Sequence, residues 1–282
     1  MKKFGYFLLG FVPLALCFVL QIGAGFIFAI LSKLFMNIPG IGPEKLTYSQ
    51  WEDMLLSTDA NGTLGIIFSL LCILIFGIWY YQTCGGNYLP KPKKTFNTMS
   101  VAGTVFIAPG IQFLSSIVLV IIAFVMPKAI EQYQQLLDDV GLTNEITVFL
   151  TIYAVIMAPI SEELIFRGVT MRCFRKAVPF WLANILQAVL FGVFHGNLVQ
   201  GIYTAVFALV LGFVCEYGGS IYYSILLHFC YNFWGTIVQQ FLMNISEFMY
   251  LFVTFFMFIS LVVGTLLFIF GQKKLHPGRK SF

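Results

Sequence analysis

Two glutamates, two histidines and an asparagine interrupt stretches of sequence that are otherwise apolar. The first group is Ala158-Pro159-Ile160-Ser161-Glu162-Glu163-Leu164-Ile165-Phe166-Arg167-Gly168, the second Phe191-Gly192-Val193-Phe194-His195-Gly196-Asn197, and the third His228-Phe229-Cys230-Tyr231-Asn232. An ionisable side chain at the centre of a membrane span costs about 2.5–3.5 kcal/mol on insertion scales, so each one invites a functional role and a named partner. Glu163 and Arg167 stand four residues apart, share a helix face and can pair, which keeps both charged. Glu162 points about 100° away and has no local cation, the setting of a general base. His228 and Asn232 are again four apart and lie on one face. The remaining histidine, His276, belongs to a basic tail. Taken singly, each group has a structural reading: an ion pair at a helix end, interhelical hydrogen bonds from His195, His228 or Asn232, and packing by Phe191. An unpaired glutamate with two histidines at one depth is the combination that structural roles do not require.

These residues must be positioned by membrane helices. Of 282 residues, 59% are hydrophobic and 10% charged, and mean hydropathy is +0.90. Soluble globular domains run at about 45–50% apolar and 25% charged, so a soluble domain is excluded. A span needs about 20 mostly apolar residues. That test predicts an all-α, polytopic transmembrane helix bundle of about eight spans, forming one membrane domain over 1–282. The expected spans are 6–35, 63–82, 101–126, 146–166, 180–197, 201–216, 220–242 and 248–270. Breakers separate them: Pro39 to Pro43, Gly85, Gly86 and Pro90, Gly141, Pro179, and Gly218 with Gly219. The first apolar stretch is too long for a signal-peptide core and is expected to stay as a helix. Glu131 to Asp139 reads as a polar surface helix. The six cysteines have neither metal-knuckle nor disulfide-framework spacing.

Orientation follows the lysines and arginines. With both termini cytoplasmic, inner segments hold thirteen of the sixteen basic residues, including Lys91, Lys93 and Lys94, the Arg167 to Lys176 cluster, and Lys273, Lys274, Arg279 and Lys280. Outer segments hold nine of the twelve acidic ones, Glu145 and Glu247 among them, against Lys45 and Lys128. Such short clusters orient helices rather than bind nucleic acid. A hairpin turning at Pro179, 16 residues from both Glu163 and His195, places those two at similar heights, roughly 24 Å above the turn. His228 reaches that layer from the Gly218-Gly219 turn. The expected site is a shallow layer, only modestly below the cytoplasmic surface and reached from that side.

In this order, Glu162-Glu163-x-x-x-Arg167, Phe191-x-x-x-His195 and His228-x-x-x-Asn232 resemble the three motifs of the CAAX-protease and bacteriocin-processing (Abi) family, over roughly residues 146–235. The resemblance implies an intramembrane endopeptidase acting on a peptide or membrane-protein substrate, which in eukaryotic members is a prenylated CAAX protein losing its last three residues. It implies that Glu162 and His195 activate water, that His228 and Asn232 stabilise the oxyanion, and that Glu163 and Arg167 brace the site. No motif residue departs from the pattern. Glu162, His195 and His228 could instead form a His-His-Glu zinc set, but no His-Glu-x-x-His helix is present, and the resemblance favours a metal-free, cofactor-free, glutamate-dependent mechanism. Two other readings stay open: a bacteriocin immunity or scaffold protein that binds without cutting, and a proton-coupled transporter, for which no inverted repeat is visible.

Overall fold

The computed structural model describes residues 2–36, 47–55, 57–84, 95–139 and 147–276. The breakers at Pro39 to Pro43, the segment from Gly85 through Pro90 to Lys94, Gly141, Glu145, Glu44 and Lys45, and the tail residues Arg279 and Lys280 lie outside them. The described residues form eleven helices and no strand. In chain order these are α1 (Lys2–Leu9), α2 (Val12–Met36), α3 (Tyr48–Leu55), α4 (Thr58–Cys84), α5 (Thr98–Val125), α6 (Pro127–Asp139), α7 (Val148–Arg175), α8 (Phe180–Phe194), α9 (Leu198–Gly218), α10 (221–242) and α11 (Glu247–Leu275). Six helical stretches are long and apolar enough to cross a membrane: α1 with α2, then α4, α5, α7, α9 and α11. The 15-residue apolar α8 and the helix α10 bring the apolar set to eight, and the bundle is all-α as composition required.

Helix α7 is the element that positions the glutamates. Thr147 caps it by accepting from the Leu150 N–H at 3.3 Å. Its interior is not uniform. Two π-helical segments, Ile152–Met157 and Leu164–Thr170, flank the short α-helical stretch Ala158–Glu163. Pro159 has no N–H and its ring crowds the carbonyl four residues back, and the wide turn before it relieves that conflict. The helix runs on to Arg175, and the chain then turns at Pro179, whose extended backbone leads into the first turn of α8.

Glycine fixes two further turns. Gly219, at φ +67°, ends α9 in the left-handed conformation, and Ser220 then caps α10. Gly196, also at φ +67°, ends α8 earlier than the apolar run suggests: the predicted helix to 197 stops at Phe194, and Asn197 caps α9 by accepting from the Gln200 N–H. Where α8 and α9 cross, a Cβ on Gly192 would come within 2.5 Å of the Gly201 carbonyl oxygen, so only glycine allows this approach. Helices α5 and α11 pack along each other at a similar small-residue crossing, Gly103 against Gly264. The polar helix expected at Glu131 to Asp139 is α6, held by its one buried side chain, Tyr133.

Two of the apolar clusters among the described residues surround the helices that carry the site. One joins α2, α4, α7, α8 and α9 through Cys17, Phe76, Phe166 and Phe191, and the other joins α5, α9, α10 and α11 through Ile111, Leu211, Tyr223 and Phe268. The outer faces of α2, α5 and α11 expose large apolar side chains such as Phe26, Phe124 and Leu251, as a lipid-facing surface must.

Candidate active site

The two adjacent glutamates separate by burial. Glu163 is 0% exposed and Glu162 8%, and it is Glu162 that lines a cavity of about 350 Å³. Glu163 Oε1 accepts from Arg167 Nη1 at 2.8 Å and from His228 Nδ1 at 2.8 Å. The i, i+4 pairing expected from spacing is therefore present even though the chain between the two enters a π segment. Arg167 is fully buried, donates from Nη2 to the Ala208 carbonyl at 3.2 Å, and sets its guanidinium 4.7 Å over the Phe191 ring.

Both histidines have one ring nitrogen assigned by its partner. A carboxylate only accepts, so His228 Nδ1 carries the proton toward Glu163, and its Nε2 lies 3.7 Å from Glu162 Oε2. His195 is the residue after the last turn of α8, and its Nδ1–H donates to the Phe191 carbonyl at 2.8 Å. In the neutral rings each Nε2 keeps its lone pair. The Phe207 ring stands edge-on to His228 at 5.1 Å and stacks on Tyr231 at 3.9 Å.

Asn232 projects from α10 toward α7, where its Nδ2 donates to the Ala154 carbonyl at 2.7 Å. That carbonyl belongs to the π segment Ile152–Met157. One amide hydrogen is thereby used, and Asn232 also lines the cavity that holds Glu162.

The cavity brings together Glu162, His195, His228 and Asn232, all four residues that sequence reasoning picked for chemistry. Glu163 and Arg167 stand behind them, and Phe191 lines the cavity beside them. Phe191 does more than pack: its carbonyl fixes His195 and its ring supports Arg167. Sequence reasoning missed Gln21, Tyr153, Gln200 and Tyr203 on the same wall. The only available signal was a polar residue within an apolar run, which Gln21 and Gln200 both give. Along α7 the cavity is bordered by Leu150, Tyr153, Ala154, Ala158 and Glu162, all on the Val148 side of Glu163. Arg167 instead borders a different cavity, of about 380 Å³, with Arg172, Arg175, Lys176 and Glu216. Phe191 thus borders the first cavity and Arg167, paired with Glu163, the second.

Among the described residues, no three His, Cys, Asp or Glu side chains are gathered closely enough to hold a metal ion. His195 Nδ1 and His228 Nδ1 are each held by a protein oxygen, and both rings share the cavity with Glu162.

No curated protein and no solved structure matches the chain. Residues 144–234 match the family model described as type II CAAX prenyl endopeptidase Rce1-like, which bears out the family resemblance drawn from the three motifs.

Proposed function

We propose that this chain is an intramembrane endopeptidase in which Glu162 activates water for attack on a peptide carbonyl. One juxtaposition supports this most: Glu162, His195, His228 and Asn232, from α7, the end of α8, and α10, share the wall of one cavity. Water held between Glu162 and His195 gives a proton to the carboxylate while its oxygen bonds to the carbonyl carbon. The second Nδ2–H of Asn232 meets the resulting oxyanion, joined by Nε2–H of His228 when that ring carries both protons. Each such donor contributes about 2.7–4 kcal/mol. The proton on Glu162 then passes to the leaving nitrogen as the C–N bond breaks, and the carboxylate is restored. Glu163 acts through His228, which it orients, and Arg167 balances its charge. The substrate class is a peptide or membrane protein, with a prenylated C-terminus as the name of the matched family suggests.

With the basic helix ends cytoplasmic, both termini are cytoplasmic too. Glu162 then lies 13 residues from Arg175, roughly 20 Å along α7. Attack near the cytoplasmic face, expected from the sequence, has less support than attack deeper in the membrane, because the cavity extends along α7 away from the basic end.

The test is cleavage of a farnesylated CAAX peptide, and of its unprenylated counterpart, by the purified chain in lipid vesicles. Glu162→Gln should cut the rate at least about a hundredfold, within the range for loss of a general base, with helical content unchanged. A variant that still cleaves at the parent rate removes Glu162 from the mechanism. A parent that binds the peptides without cutting either would favour a binding protein instead. The reading is metal-free: activity should survive exhaustive chelation, and a loss that zinc restores would overturn that part.

A further inference from the structure

Behind the catalytic cavity lies a second polar space of about 530 Å³. The two share Ala154, Gln200, Tyr203, Tyr231 and Asn232, so they are separated only by side chains that border both. The wall of the second space also includes Gln112, Ser115 and Ser116 of α5 and Thr236, Gln239 and Gln240 of α10, together with Leu119 and Gly235. Among the described residues, none that lines it is Asp, Glu, Lys, Arg or His. Polar side chains in a lipid-embedded bundle are retained where they face a cavity or a partner. Amides and hydroxyls that both donate and accept, without charge, complement the N–H and C=O groups of an extended peptide.

The position of this space is equally specific. Its rim includes Tyr133 and Leu137 of α6 and Met243 just past α10, at the opposite end of the bundle from Arg175, Glu216 and the Gly219 turn. The Tyr133 and Tyr203 hydroxyls, 2.8 Å apart, tie α6 to α9 beside it. Gln112 Nε2 donates to the Tyr231 carbonyl at 2.8 Å, and Ser115 Oγ bonds the Tyr231 hydroxyl at 2.9 Å. These bonds hold Tyr231 against Phe207 and thereby set the partition between the two spaces.

We infer that the second cavity is a subsite for an uncharged, extended segment of the polypeptide substrate, which reaches Glu162 from the face opposite the basic helix ends. The inference rests on the endopeptidase reading above, and its test is built so that each can fail alone. Binding of a fluorescent farnesylated CAAX peptide is measured by anisotropy in the Glu162→Gln background, where no cutting is required. Cysteine is placed at the exposed rim residue Gln240, with Ser116→Cys as a second reporter, and at Thr83 beside the basic cavity as a control. A charged, membrane-impermeant methanethiosulfonate is applied to sealed vesicles of known orientation, with the chain carrying only its native cysteines as background. The expected result is modification of Gln240→Cys and Ser116→Cys only from the face opposite Lys273 and Lys274. Each adduct should weaken peptide binding at least tenfold, and the adduct at Thr83→Cys should change it less than twofold. Reaction of both rim cysteines only from the basic face would overturn the inference, as would adducts that leave binding unchanged. Cleavage that survives Glu162→Gln would sink the catalytic reading while leaving the subsite result standing.

Discussion

Adjacent carboxylates with one partner set are divided by who reaches the partner. Glu163 takes both Arg167 and His228 on a single oxygen, which leaves Glu162 without an ion pair from Arg167 and in contact with the cavity. Removing one member of a buried ion pair strands the other, at a cost of about 3–5 kcal/mol, whereas replacing both with apolar side chains is often neutral. Arg167→Ala should therefore lower stability by about that amount in reversible unfolding. The double variant Glu163→Leu with Arg167→Met should be more stable than Arg167→Ala yet lose cleavage, because His228 Nδ1 has lost its acceptor. If the double variant keeps full activity, Glu163 does not orient His228. Asn232 offers a cleaner separation of binding from chemistry. Asn232→Ala should lower kcat about 10²–10³-fold with little change in KM, as loss of an oxyanion donor does. A change confined to KM would assign Asn232 to substrate binding instead.

At the scale of elements, what the sequence made legible is what local spacing controls. The pairing of Glu163 with Arg167, the turn at Pro179 and the Gly219 end of α9 are set by residues within a few positions of one another, and each is where spacing and breakers put it. The π segments of α7 were not legible, because their register depends on how Pro159 and the neighbouring helices share space. The partner of Asn232, the Ala154 carbonyl 78 residues earlier, was hidden for the same reason. The end of α8 was open to reading: Gly196 between a histidine and a capping asparagine is a helix stop followed by a start, obscured by apolar residues on both sides. Gly196→Ala forces a side chain into the left-handed region, which costs roughly 1–2 kcal/mol. The variant should be destabilised by that amount and should also lose cleavage, since the residue before it is His195. Destabilisation without loss of cleavage would show that the position of His195 tolerates this strain.

For the molecule as a whole, the matched family segment does not enclose the cavity by itself. Residues 144–234 supply every residue proposed for chemistry, but Gln21 of α2 and Phe68 of α4 also line the cavity that holds Glu162, and Phe76 and Cys72 belong to the core around Phe166. The second core depends equally on α5, which packs against α10 and α11. In lipid such contacts come from close packing of preformed helices rather than from expulsion of water, so separately inserted pieces can find each other. A chain divided after Asp139 tests this. The piece beginning at residue 140 keeps Glu162, His195, His228 and Asn232 but lacks α1 to α6. Alone it should cleave the farnesylated peptide at less than about a hundredth of the parent rate, the scale on which misplacing catalytic groups acts. Co-expressed with the piece ending at Asp139, it should regain a substantial part of that rate and co-purify with it. Parent-like cleavage by the second piece alone would mean that the helices outside the matched segment neither shape the catalytic cavity nor hold its residues in place.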